Sequence, residues 1–188
     1  METNQKNYFK FTVGLILCLL VRLIPFRAPN VEPILATTMP FARAYGALAG
    51  FSFAFLSILL FDFATRTIGV QTIFTATAYG VLGLWSASYF KNKKGQVWDY
   101  VGFAIIGTLF YDAFTGLTMG PIFFHQTFWS SLVGQIPFTA LHLVGNIAFA
   151  IILSPAIYRL LIKKKQKDLP AGKAGKFPPK NFLNPKTI

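Results

Sequence analysis

The sequence predicts an all-α, polytopic membrane protein: a six-transmembrane-helix bundle with N- and C-termini cytoplasmic. Three observations predict it. First, 54% of the 188 residues are hydrophobic and only 13% are charged, whereas a soluble domain covers itself with about 25% Asp, Glu, Lys and Arg. Second, the apolar stretches break at charges, prolines and glycines into segments near the roughly 20 residues that cross a bilayer. The chain has room for about five to seven such spans and for no separate soluble domain. Third, the formal charge of +12 gathers at segment flanks: nine of the 18 Lys and Arg lie from Arg159 onward, three are Lys91, Lys93 and Lys94, and two are Lys6 and Lys10. Cytoplasmic loops collect Lys and Arg, so the charge reads as a topology signal, ahead of a tail for nucleic acid or a partner.

The spans follow in order. Span one covers about 8–26, entered from Lys6 and Lys10 and interrupted by Arg22. A loop through Pro29, Asn30, Glu32 and Pro33 follows, because two prolines and an Asn favour turns. Span two, about 34–46, is short and carries Pro40 and Arg43; span three, about 47–64, ends near Phe61-Asp62. Span four holds no charge over 67–90 and stops at Lys91. Span five runs over about 98–118, and span six over about 131–160. All should be helices, because an open sheet edge cannot satisfy its backbone in lipid. An even number of spans places Lys6, Lys10, the 91–94 loop and the C-terminal tail on one side, which the positive-inside rule assigns to the cytoplasm.

The division expected is a transmembrane domain over 1–162 and a basic tail over 163–188. The tail carries eight Lys, four Pro and two Gly; such a composition cannot bury enough apolar area to offset ordering entropy, so it reads as disordered. Cys18 stands alone, with no disulfide or metal pattern. No small-x-small cleavage site follows the first apolar segment. The two His are 17 residues apart without Glu or Cys arranged as zinc ligands, and no phosphate loop is present. These readings point to no enzyme and no cofactor.

The polar residues are more informative. Ionisable groups in a span cost several kcal/mol unless paired or wetted, so Arg22, Arg27, Glu32, Asp62, Arg66 and Asp112 should converge near the outer helix ends, either in ion pairs (Arg22 with Asp62, Arg66 with Asp112) or around a polar pocket. Three stripes support the pocket. Gln135, Thr139, His142 and Asn146 share one helical face, Thr108, Asp112 and Thr115 another, and Thr72, Thr75 and Tyr79 a third. The segment from Gly116 to Pro121, followed by His125 and Gln126, reads as a loop able to close over it. Phe61-Asp62 with Thr65 and Tyr111-Asp112 with Thr115 suggest a faint internal repeat.

The order of these features resembles the substrate-binding S component of energy-coupling factor (ECF) vitamin transporters. The resemblance rests on Pro29-Asn30-Val-Glu-Pro33, Gly46 to Gly50 leading to Phe61-Asp62, Thr108-Leu-Phe-Tyr-Asp112, and His142-Leu-Val-Gly-Asn146 before Pro155, and covers roughly residues 8–162. It implies a six-helix cell-membrane subunit that binds a vitamin-like small molecule near its outer face. It also implies a partner, a transmembrane coupling subunit carrying ATPases, besides the lipid bilayer itself, and no nucleic acid. The substrate-binding set expected is Asn30, Glu32, Asp62, Arg66, Thr75, Tyr79, Asp112, His125, Gln126, Thr139, His142 and Asn146. Gly14-Leu-Ile-Leu-Cys18 stands where family members often carry an Ala-x-x-x-Ala docking face. A small scaffold protein of the cell-wall and rod-shape machinery is the competing expectation.

Overall fold

The computed structural model describes residues 2–26 and 31–167, with side chains over 7–26 and 31–161. Among the described residues there are six helices and no strand: α1 (Glu2–Arg22), α2 (Ile34–Tyr45), α3 (Ala47–Thr65), α4 (Val70–Phe90), α5 (Val97–Phe124) and α6 (Phe128–Lys167). Their boundaries follow from local chemistry. α1 stops at Arg22, earlier than 26, because Pro25 disfavours helical geometry at the residue before it. Gly46, at φ 96, turns α2 directly into α3 in a region that L side chains avoid. At the start of α5, Asp99 Oδ2 accepts the backbone N–H groups of Gly95 at 2.8 Å and Gln96 at 3.0 Å, capping the helix.

α2 sits at the centre. Residues 34–42 are buried without a break, the mark of a helix enclosed on all sides. It packs on α1, α3, α4, α5 and α6. Pro40 lacks the N–H that would bond the Ala36 carbonyl, and the Ser154 hydroxyl of α6 donates to that carbonyl at 2.7 Å instead. α3 and α4 meet where Gly50 faces Gly83: a Cβ on Gly83 would overlap the Gly50 backbone, and one on Gly50 would lie 2.6 Å from the Gly83 carbonyl oxygen and from the Ala42 Cβ of α2. Small residues there let three helices approach closely.

The segment 116–121 is not a loop. α5 continues through Gly116, Gly120 and Pro121 to Phe124, leaving 125–127 between α5 and α6. The glycines serve packing, since a Cβ on Gly116 would overlap the Gln135 side chain and one on Gly120 would overlap the Ser131 hydroxyl. α6 also extends beyond 160 to Lys167; the rest of the expected tail, 168–188, lies outside the described residues.

The helices alternate in direction. One end of the bundle gathers Lys10, whose Nζ donates to the Leu161 carbonyl at 3.4 Å, and Arg43, which reaches the Lys93 carbonyl at 3.0 Å, the Tyr100 hydroxyl at 3.4 Å and the Tyr158 ring at 4.3 Å. The start of α1, the 91–96 loop and the end of α6 therefore share one end. The opposite end carries Arg22, Glu32 and Asp62. α3, α5 and the Phe128–Leu161 part of α6 are long and apolar enough to cross a membrane, and large apolar side chains such as Phe63, Val133 and Val144 point outward from them, as lipid-facing residues do. By this criterion the chain is a membrane protein.

Candidate functional site

α5 and α6 face each other through two polar rungs, one helical turn apart. Thr108 and Asp112 lie four residues apart on α5, as do His142 and Asn146 on α6, so each pair lies on one face. In one rung His142 Nδ1 lies 2.7 Å from Asp112 Oδ1; in the next, Asn146 Nδ2 donates to the Thr108 hydroxyl at 2.8 Å. All four residues are buried, at 0–3% exposure. On the other side of the ring, His142 Nε2 shares a hydrogen bond of 3.1 Å with the Tyr79 hydroxyl of α4. Tyr79, His142 and Asp112 thus form a chain of hydrogen bonds across three helices.

Aromatic rings enclose this chain. The Tyr79 and Tyr111 centroids are 4.2 Å apart, and Tyr111 and Phe138 make T-shaped contacts with the His142 ring at 5.9 and 6.0 Å. Glu32, just before α2, is paired with Arg22 at 3.2 Å. Arg22 also donates to the Ser57 carbonyl at 2.8 Å and lies over the Phe61 ring at 3.8 Å.

Two acceptors in the rungs have no partner. Asp112 Oδ2 and Asn146 Oδ1 are fully buried and unbonded. Leaving a buried polar atom unpaired costs about 1–3 kcal/mol, more for a charge, so such atoms mark places where a structure is incomplete or poised.

The structure brings Tyr79, Asp112, His142 and Asn146 together from α4, α5 and α6, while Glu32, in the α1–α2 connection, meets Arg22. Asp62 lies at the same end but accepts from the Thr72 hydroxyl at 2.6 Å, a bond that ties α3 to α4. The other expected residues do not join. Arg66 is exposed and ends α3 in a left-handed conformation, φ 59, so neither the Arg66–Asp112 nor the Arg22–Asp62 ion pair forms; Asp112 is met by histidine, and Arg22 by Glu32. Thr75 bonds its own helix at the Gln71 carbonyl, 3.0 Å. Thr139 is engaged by Gln135 at 3.3 Å. His125 is exposed, and Gln126 accepts from Ser131 at 3.2 Å. Asn30 lies outside the described residues. Tyr111 enters the site without having been in the expected binding set; the signal for it was its place three residues after Thr108, on the same helical face.

Comparison with protein-family models, curated proteins and solved structures gives no match to this chain.

Proposed function

We propose that the chain is a six-span subunit of the cell membrane that binds a small, vitamin-like solute at the Arg22 end of the bundle. A separate transmembrane coupling subunit with ATPases would then energise uptake. The observation that carries this reading is the buried polar face formed by Tyr79, Thr108, Asp112, His142 and Asn146, which leaves two acceptors unpaired. A cluster kept only for packing gains by closing every bond, because unpaired buried groups are costly. The resemblance to the ECF S components supports the same reading.

Six spans are physically consistent with the helix lengths. α4 has 21 residues, none of them charged, about 31 Å at 1.5 Å per residue, enough for a hydrocarbon core of roughly 30 Å. α2 has only 12 residues, yet the helices around it shield its backbone and it need not meet lipid along its length. The shared end of Lys10, Arg43, Lys93 and Arg159 is then cytoplasmic by the positive-inside rule, with both termini, and the Arg22 end faces outward.

The scaffold reading draws on a specific feature too: the Asp112–His142 and Asn146–Thr108 bonds join α5 to α6 and would serve a purely structural role. A thermal-shift screen of the purified protein in detergent against vitamins, their precursors and nucleobases separates the two. The binding reading expects at least one compound to raise the melting temperature in a saturable way. A flat response across the panel would leave the scaffold reading standing.

A further inference from the structure

The basic end of the bundle is a surface held together by one arginine. Among the residues with described side chains it carries Lys10, Arg43, Lys91, Lys93, Lys94 and Arg159 against a single acid, Asp99. Asp99 is occupied, its Oδ2 accepting the Gly95 and Gln96 backbone N–H groups at the start of α5. The Arg43 guanidinium donates to the Lys93 carbonyl at 3.0 Å and lies over the Tyr158 ring of α6 at 4.3 Å. It also fills the space beside Gly95, where a Cβ would overlap it, and Gly95 takes φ 77 at that approach. Arg43 therefore ties the 91–96 connection to α6. The exposed Lys91, Lys93 and Lys94 are brought to the same end as the exposed Arg159, the neighbour of Tyr158. Trp98, 77% exposed, stands in the first turn of α5 at this end, and such amphipathic rings settle at the level of lipid headgroups.

We infer that this end binds the headgroups of anionic phospholipids, with Lys91, Lys93, Lys94 and Arg159 as the contacts and Arg43 as the residue that positions them. Cations gathered on one surface with little acid among them create a field that attracts anions. A bundle that crosses a membrane carries its helix ends through the headgroup layer, so lipid phosphates are the anions within reach. Phosphate oxygens accept charge-assisted hydrogen bonds from Lys and Arg, and basic clusters beside membrane helices draw anionic lipid. Phosphatidylcholine carries its own cation beside the phosphate, so the field selects lipids with a net negative charge. The inference holds whichever leaflet this end faces, and it stands apart from the solute.

Thermophoresis of the intact protein in a nonionic detergent, titrated with dioctanoyl phosphatidylglycerol or dioctanoyl phosphatidylcholine, tests this. Wild type should prefer phosphatidylglycerol by at least about fivefold, the effect of roughly one basic residue at an anionic surface. Raising the salt from about 0.1 M to about 1 M shortens the screening length from about 10 to about 3 Å and should shrink that preference. The combined variant Lys91→Gln, Lys93→Gln, Lys94→Gln and Arg159→Gln should bind the two lipids alike, and Arg43→Gln should reduce the preference with the lysines still in place. Arg66→Gln, at the opposite end, should keep it. Equal affinities in wild type, indifference to salt, a preference that survives in the combined variant or in Arg43→Gln, or its loss in Arg66→Gln would each overturn the inference. So would inorganic phosphate abolishing the preference where chloride of equal ionic strength does not, because a soluble anion would then be the occupant. The wild-type measurements do not depend on any variant folding.

Discussion

At the scale of single residues, Asp112 does two things with its two oxygens, and two substitutions separate them. Asp112→Ala removes the partner of His142 Nδ1 and should cost about 1–3 kcal/mol of stability, the penalty for a buried polar group left unpaired. Asp112→Asn retains an acceptor in the same place and should melt close to wild type. Thermal unfolding in detergent checks the pair; equal losses would mean that the His142 contact contributes nothing. The importance of Asp112 was legible in the sequence because a carboxylate within an apolar run has few tolerable reasons to be there. Its partner was not. Arg66 was the partner the sequence suggested, and only packing places His142 opposite Asp112 while Arg66 turns outward at the α3 terminus.

At the scale of elements, α2 shows how a short, proline-containing helix survives at the centre of a membrane bundle. The Ser154–Ala36 hydrogen bond replaces the one that Pro40 cannot make, so Ser154→Ala should cost about 0.6–1.7 kcal/mol, the range of interhelical bonds in membranes. In a Pro40→Ala background the helix can satisfy Ala36 itself, and the cost should shrink. A double-mutant cycle read by unfolding in detergent measures this coupling; additive effects would contradict it. Gly83→Ala should cost at least about 1–3 kcal/mol, since the new methyl meets the Gly50 backbone. Gly134→Ala, with open space around it, should be neutral or stabilise α6 by up to about 1 kcal/mol. The starts of α2, α3 and α5 were legible to within a residue because prolines, Gly46 and the lysine-rich 91–94 segment mark them. The end of α5 was not, because glycine and proline read as a turn from sequence whereas here Gly116 and Gly120 make room for Gln135 and Ser131 of α6.

At the scale of the whole molecule, two ends of opposite character form. Lys10, Arg43, Lys93 and Arg159 mark one, and Arg22, Glu32 and Asp62 the other. The alternation of charge along the sequence anticipated this arrangement, and Arg43 joins the basic end because α2 runs back toward the start of α3. With buried Cys18 replaced by Ser, Lys93→Cys should react with a membrane-impermeant maleimide only in inverted vesicles, and Arg66→Cys only in right-side-out cells. Labelling of both from the same side would contradict six alternating spans. What the sequence could not convey is the pairing of rungs between α5 and α6, which depends on how far each helix is shifted along its neighbour. The most direct measurement of the central idea is native mass spectrometry of the protein released from detergent after incubation with the vitamin panel. The binding account predicts a non-covalent small-molecule adduct on wild type that is lost in Asn146→Ala, with both proteins folded by circular dichroism. No adduct on wild type, or the same adduct retained by the variant, would contradict it.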